Sequence, residues 1–136
     1  MDVTEAIYGR RAVREFATAE IAPHVMEWDE NQTFPLEVIK KLGKLGYLGV
    51  IFPEQYGGAG ADTVSYALAV MEIARADASV GITLAANVSL GATPFYYFGT
   101  EAQKQKYLVP LAKGEKLWGF GLTEPGAGSD AGGAST

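Results

Sequence analysis

The residues with the clearest potential for chemistry form one glycine-rich stretch, Leu122 to Asp130. Gly126 and Gly128 leave successive backbone amides free to point at an anion. The hydroxyls of Thr123 and Ser129 add two further hydrogen-bond donors. This pattern is typical of a loop that holds a phosphate, although a plain glycine-rich turn explains the same residues equally well.

A strand is predicted immediately before this loop. From Leu117 to Thr123 large apolar side chains alternate with glycines, as expected for a strand with one bulky face. Gly119 and Gly121 leave the other face without side chains, so a flat ring can lie against the backbone there. Together the strand and the loop suggest a site for a ring joined to a phosphate.

Two common nucleotide-binding motifs are weaker explanations of the loop. Gly126, Gly128 and Ala131 satisfy the loose glycine spacing of a Rossmann turn. However, Gly132 and Gly133 disfavour the helix that must follow such a turn. A Walker phosphate loop requires a Gly-Lys-Ser/Thr ending, and the loop has none.

The elements upstream of the strand are predicted to be five or six helices, because apolar residues recur every three or four positions. Thr100 and Gln103 form a capping-box pattern, and Gly114 is expected to end the helix that they begin. The fold class is therefore mainly α. A helical amino-terminal domain occupies residues 1–114, and residues 115–136 supply the first strand and the glycine-rich turn of an incomplete β-domain.

Other residues predict details of these helices. The first helix begins near Val3, and Pro23 is expected to kink or divide it. Asp62 is the expected N-cap of a later helix, whose apolar positions leave Glu72, Arg75 and Asp77 facing solvent.

The composition is that of one globular domain. The chain has 136 residues, 48% of them hydrophobic, which is enough apolar surface for a packed core. A net charge of −5 argues against nucleic-acid binding, which needs a basic face. The absence of cysteine excludes disulfides and a cysteine nucleophile, and the single histidine, His24, has no companion ligands for a metal. A cytoplasmic protein is expected, because no signal-peptide pattern opens the sequence.

One uncharged stretch, Ala78 to Thr100, is long enough to cross a bilayer. Polar residues, glycines and Pro94 interrupt it, so its apolar density is poor for a membrane span. We therefore predict a buried helix and no membrane span.

Three motifs, in the same order, resemble those of the flavin-dependent acyl-CoA dehydrogenases. Leu122 to Asp130 resembles the flavin-contacting signature of that family. Pro53 to Gly60 is similar to an earlier loop, and Phe98 to Leu108 is similar to the entrance of the following helix. Because three ordered matches extend over most of the chain, chance similarity is a poor explanation.

The resemblance implies that FAD is the cofactor and that an acyl-CoA is the substrate, which the family oxidises to the α,β-unsaturated thioester. Leu122 and Thr123 would lie beside the isoalloxazine ring, and Ser129 would lie near the pyrophosphate and also touch the acyl-CoA. The cofactor-binding residues predicted in this way are Phe120, Leu122, Thr123, Gly128 and Ser129. The resemblance also implies electron-transfer flavoprotein as a partner and a homo-oligomer for the complete enzyme.

The uncharged helix has two interpretations. In the family the matching helix lines the far end of the acyl cavity, which makes Ala86, Asn87 and Leu90 candidates for contact with the acyl chain. Ordinary core positions on a buried helix explain their spacing at least as well.

The family's catalytic base is a glutamate on a carboxy-terminal helical bundle, and no glutamate here matches that position. Glu54 and Glu124 lie in motif loops, where turn geometry and solvation explain them better than a role as a base. We therefore assign no catalytic residue and expect a fragment that is inactive alone. A non-catalytic helical module for binding or assembly is the alternative.

The first sixteen residues depart from the family's usual opening. Arg10 to Phe16 is closer to the opening of the FMN-dependent nitroreductases, whose arginines hold the flavin phosphate. Nothing after Phe16 continues that pattern, so a solvated basic helix face is the preferred interpretation of Arg10, Arg11 and Arg14. Trp28 and Trp118 are expected in the core or at an interface, and only Trp118 lies close enough to the signature to join a flavin pocket.

Overall fold

The computed structural model describes residues 3–136, with side chains from residue 9 onward, and this part of the chain is mainly helical, as predicted. A π-helical turn at Asn87–Ala92 joins the α-helix Ala78–Ala86 to the α-helix Thr93–Phe98. Another, at Lys104–Leu108, joins Glu101–Gln103 to Val109–Ala112. Residues 78–98 and 101–112 therefore form two continuous helices. The α-helices are α1 (Val3–Glu20), α2 (Val25–Glu30), α3 (Leu36–Lys44), α4 (Thr63–Ala76), α5 (Ala78–Ala86), α6 (Thr93–Phe98), α7 (Glu101–Gln103) and α8 (Val109–Ala112).

The predicted helix boundaries are confirmed where a cap defines them. Asp62 accepts a hydrogen bond from the backbone N–H of Ser65 at 2.7 Å, at the start of α4. Thr100 and Gln103 form the predicted capping box, in which each side chain accepts from the other residue's backbone N–H. Gly114 follows α8 with a φ of +71°, a left-handed conformation that favours glycine.

Pro23 divides the first helix, as predicted. The helix α1 ends at Glu20, a 3₁₀ turn at Ala22–His24 contains the proline, and α2 begins at the next residue. Proline has no backbone N–H and its ring crowds the preceding turn, so α1 cannot continue through it.

The helices enclose one hydrophobic core, and its members come from almost every element. Burying each large aliphatic side chain contributes about 1.5–3 kcal/mol before entropy is subtracted. The largest fully buried side chains include Ile21, Ile39, Leu42, Leu48, Phe52, Ile73, Leu84, Leu108 and Leu111. Because this core extends through α8, the glycine-rich segment starts from a packed helix end.

The loop Pro53–Gly60 is structured, as predicted, and contains a 3₁₀ turn at Glu54–Tyr56. The backbone N–H of Gly60 donates to the carbonyl of Phe52 at 2.9 Å. At Gly58 an added Cβ would lie 2.0 Å from the same carbonyl oxygen, so only glycine fits there.

Glu72 does not face solvent, and that prediction is wrong. Its side chain is only 3% exposed on the face of α4 that packs against α1. Arg10 donates from Nε to Oε1 at 2.6 Å, and Arg14 donates from Nε to Oε2 and from Nη2 to Oε1, each at 2.9 Å. A buried carboxylate is tolerated here because charged donors satisfy both of its oxygens.

The same contacts correct the interpretation of the basic face on α1. Arg10 and Arg14 are each 45% exposed and are committed to Glu72, so they connect α1 to α4. Arg11 alone matches the expected solvated position, where it pairs with Glu15 one turn along the same helix. Helical spacing identified the charged face of α1 but not the buried partner opposite it.

The uncharged stretch forms a helix that runs from Ala78 to Phe98. The predicted buried helix is buried along one face only: Val80, Leu84, Val88 and Ala92 lie in the core, whereas Ile82 and Phe98 are 65% and 88% exposed. In the described residues this 21-residue helix is long and apolar enough to cross a membrane, but core helices of soluble proteins commonly meet the same criterion.

No strand forms over Leu117–Thr123 in the described structure, contrary to the prediction. Backbone N–H and C=O groups of a strand must pair with a neighbouring strand, and residues 3–136 supply none to this segment. An isolated antiparallel bridge between Glu124 and Ala127 is the only β-type pairing in the described part of the chain. Alternating side chains alone are therefore insufficient to form the strand.

Candidate functional site

The glycine-rich segment, residues 117–130, leaves the helical body at Trp118. The Trp118 backbone N–H donates to Oδ1 of Asn87 at 3.3 Å. Its ring meets the ring of Phe95 edge-on, with 5.1 Å between centroids. At Gly91 an added Cβ would lie 2.7 Å from the Trp118 Cβ, so the helix surface has no room for a larger residue there. The start of the segment is thus fixed at Trp118 to one face of the 78–98 helix.

A tight turn follows at Glu124–Ala127. The backbone N–H of each end residue donates to the carbonyl of the other, at 3.0 and 3.1 Å. The Glu124 carboxylate accepts from the backbone amides of Ser135 and Thr136, at 2.7 and 3.1 Å. Hydrogen bonds from Thr136 and Ser135 hold the pKa of Glu124 below its usual range. The Glu124 side chain therefore holds residues 135 and 136 against the turn.

The five residues predicted to bind the cofactor are all exposed to solvent. Phe120 and Leu122 are 56% and 46% exposed, which is high for large apolar side chains. Thr123, Gly128 and Ser129 are also exposed. The structure places these residues on one continuous stretch of chain and leaves them uncovered.

The glycines of this segment border open space. A Cβ built at any of Gly119, Gly121, Gly126 or Gly128 would meet nothing within 4 Å. The backbone is therefore accessible at these four glycines, as a flat ring and a phosphate approaching it would require. The residues present fit a flavin nucleotide.

An apolar cavity of about 300 Å³ opens beside the start of the segment. It lies between the 78–98 helix and the segment, and its lining residues are Phe34, Ile82, Thr83, Ala86, Asn87, Leu117 and Trp118. An apolar pocket next to an accessible glycine-rich backbone can hold the chain of a ligand whose polar part lies along the segment.

Two of the three residues predicted for the acyl cavity line this pocket. Ala86 and Asn87 do so, whereas Leu90 is not among its lining residues and is 45% exposed. The sequence interpretation missed Ile82 and Thr83, which lie one turn before Ala86 on the same uncharged helix. Their helical spacing from Ala86 was the available signal.

The helices and their caps describe a helical domain that is followed by an exposed glycine-rich segment. The family model for the acyl-CoA dehydrogenase N-terminal domain matches residues 5–115, and the chain belongs to the acyl-CoA dehydrogenase family. The resemblance carried by the three motifs is confirmed.

Known relatives agree with this assignment. The Bacillus subtilis protein named "Probable acyl-CoA dehydrogenase YngJ" is 58% identical over 127 residues, which are 93% of this chain and 33% of the relative. An acyl-CoA dehydrogenase of Bacillus anthracis, solved in complex with FAD, has a TM-score of 0.89 and 42% identity over 98% of this chain and 23% of its own.

A third similar chain comes from a structural study of the electron transferring flavoprotein of Acidaminococcus fermentans. It has a TM-score of 0.91 and 48% identity, and the match covers 98% of this chain and 36% of that one. The present chain spans about a third of the length of the curated relatives that it matches.

Proposed function

We propose that this chain supplies the flavin-facing wall and part of the acyl pocket of an FAD-dependent acyl-CoA dehydrogenase. The observation that carries the proposal is the accessible glycine-rich segment next to the 300 Å³ apolar cavity. The two together suit a flavin and the acyl chain of a thioester, and the family of the chain supports that combination.

In this proposal Leu122 and Thr123 contact the isoalloxazine ring, and Phe120 covers part of the same face. Ser129 and the exposed amide of Gly128 donate to the pyrophosphate, and Ser129 also contacts the acyl-CoA. The support is their shared exposure on one segment, which leaves apolar and hydrogen-bonding groups available to a ligand. Residues 1–114 act as the helical domain, and residues 115–136 as the start of a β-domain.

FAD, when bound, supplies the hydride acceptor for formation of the α,β double bond of the thioester. This chain contributes orientation, because hydride transfer requires the substrate carbon to be held against the ring at a fixed distance. The apolar cavity beside Ala86 and Thr83 would hold part of the acyl chain.

No glutamate of the site suits the role of catalytic base. Glu124 is the glutamate of the glycine-rich segment, and its carboxylate is already hydrogen-bonded to two amides that lower its pKa. A base that removes the α-proton needs a free oxygen and a pKa near the working pH. We therefore assign no catalytic residue and expect no turnover by the chain alone.

The proposed partners follow from the same function. An acyl-CoA is the substrate, and electron-transfer flavoprotein is the expected electron acceptor, consistent with the similar chain in the Acidaminococcus study. A homo-oligomer of the complete enzyme and a cytoplasmic location remain predictions. The exposed apolar side chains of the segment need a covering surface, which other parts of a complete enzyme would provide.

The test is a chimera in which this chain replaces the matching third of the Bacillus subtilis relative. We expect the purified chimera to retain FAD and to reduce an artificial electron acceptor when an acyl-CoA is added. Ser129→Ala should weaken FAD retention by about 10- to 150-fold, the effect of losing one hydrogen bond to a charged group. The matched control is Ser89→Ala, which removes an exposed helical hydroxyl outside the site.

A folded chimera that binds neither FAD nor acyl-CoA would contradict the proposed function. It would favour a non-catalytic binding or assembly module, in which the uncovered segment recruits another chain. The chain alone should show flavin absorbance far below one equivalent after purification, because it presents only one wall of the site.

A further inference from the structure

Asn87 is an unusual core residue. Its side chain is buried, with 2% of the residue exposed, at the point where α5 changes into a π-helical turn. Oδ1 accepts from the Trp118 backbone N–H, whereas Nδ2 has no hydrogen-bond partner among the described residues. An unmet buried donor destabilises a fold, so packing alone is a poor reason for an amide at this position.

The contacts to Trp118 come from one face of a single helix. Asn87, Gly91 and Phe95 are spaced four residues apart, and the three contact the backbone N–H, the Cβ and the ring of Trp118 respectively. Gly91 and Phe95 position the Trp118 side chain through packing contacts. Asn87 is the member that holds the backbone, and the backbone determines where the following residues lie.

We propose that Asn87 is a positioning residue for the flavin-facing segment, acting through the peptide N–H of Trp118. Phe120 follows Trp118 by two residues and Leu122 by four. Any displacement of the Trp118 backbone therefore also displaces the two side chains that are proposed to face the ring. The proposal rests on the proposed function for the identity of the ligand, but not for the anchor itself.

A neutral amide is well suited to this task. The segment forms no strand in the described structure, and there the Trp118 N–H pairs with the Asn87 side-chain oxygen rather than with a backbone carbonyl. The Asn87 oxygen is the side-chain equivalent of a peptide carbonyl, and it accepts the bond without burying a charge. A carboxylate would supply the same oxygen at a larger desolvation cost.

Amide hydrogen exchange of the whole chain, followed residue by residue with NMR, tests the proposal. Asn87→Leu keeps the approximate volume and removes the acceptor, and we expect exchange at the Trp118 N–H to rise about 5- to 100-fold. Asn87→Asp keeps an acceptor oxygen and should restore most of the protection. The matched control is Thr83→Val, which changes a polar residue of the same cavity that bonds only within its own helix.

Local and global effects separate in the same spectra, because exchange at buried α4 amides such as Ile73 reports the stability of the helical body. A rise at Trp118 in Asn87→Leu with little change at Ile73 supports the positioning role. Unchanged Trp118 exchange, equal rises at both amides, or no difference between the Leu and Asp variants would overturn it. A variant that does not fold would also overturn it, since Asn87 would then be a core residue.

The measurement needs no flavin, so its result is independent of FAD binding. If exchange at the Trp118 N–H rises as expected but the chimera binds no FAD, the role of Asn87 is supported and the proposed function is contradicted. If the chimera binds FAD and Trp118 does not respond, the proposed function stands and the role of Asn87 fails.

Discussion

The ion pair between α1 and α4 gives the sharpest prediction about stability. Replacing Glu72 with glutamine keeps the size and shape of the side chain and removes its charge. The two hydrogen-bonded arginines then lose a carboxylate that is 3% exposed, while their own guanidinium groups remain 45% exposed. The fold should survive, because both arginines can be rehydrated in place.

The magnitude follows from the pKa of the carboxyl group. Hydrogen bonds from Arg14 and Arg10 lower the pKa of Glu72 from 4.5 to about 2, which corresponds to at most about 3 kcal/mol of stability. Because water reaches both arginines, screening reduces the contribution of the ion pair to the free energy of unfolding to about 1–2 kcal/mol. A chain of this size should then lose about 3–8 °C in Tm near neutral pH.

The lowered pKa of Glu72 also fixes the direction in which stability changes with pH. The pKa of Glu72 is lower in the folded chain than in the unfolded chain, so the stabilisation is complete above about pH 5 and is lost as pH falls toward 2. The stability difference between wild type and Glu72→Gln should therefore shrink steadily across that range. Urea unfolding followed by circular dichroism, at several pH values for each variant, measures this difference directly.

The matched control is Glu15→Gln. Glu15 pairs with Arg11 one turn away, and both side chains are well exposed, so its loss should change stability by no more than about 0.5 kcal/mol. The reasoning is refuted if Glu72→Gln matches wild type at neutral pH. It is refuted equally if the difference between them does not change on acidification.

Further predictions follow from the caps, the glycines and the turn. Thr100→Ala removes the hydroxyl of the capping box and should lower the free energy of unfolding by about 1 kcal/mol in denaturant titrations. Gly114→Ala should cost about 2 kcal/mol or more, because φ is +71° and the new Cβ would lie 2.6 Å from the Cα of Gly43. Gly60→Ala is its control, since φ is +64° but nothing lies within 4 Å, and strain alone should cost about 1 kcal/mol. Protonation of Glu124 at low pH should weaken its hold on residues 135 and 136, and their amide chemical shifts should move toward those of Glu124→Gln.

Features that depend on neighbouring residues were predictable from the sequence. The capping box needs only Thr100 and Gln103, and the break at Pro23 needs only the proline itself. The structured loop at Pro53–Gly60 was also correct, because closely spaced glycines favour the turns that it contains. Each of the three motifs that identified the family is also a short stretch of neighbouring residues.

Features that depend on distant partners were not predictable in this way. Glu72 was assigned to solvent because helical spacing separates apolar from polar positions, and it cannot show that two arginines cover a polar one. The strand at Leu117–Thr123 was expected from alternation, but a strand forms only when another strand satisfies its backbone. Leu90 was named with Ala86 because of the family resemblance, and the resemblance could not show that only Ala86 of the two lines the cavity.

The sequence by itself determined the helical class, the caps and the membership of the acyl-CoA dehydrogenase family, since each rests on short stretches of chain. The tertiary structure decided the burial of Glu72 and the attachment of Trp118 to Asn87. These contacts join residues 58 and 62 positions apart in the first case and 31 in the second. Only the packing of helices brings such residues together, and burial then gives their hydrogen bonds a strength that exposed groups would not have.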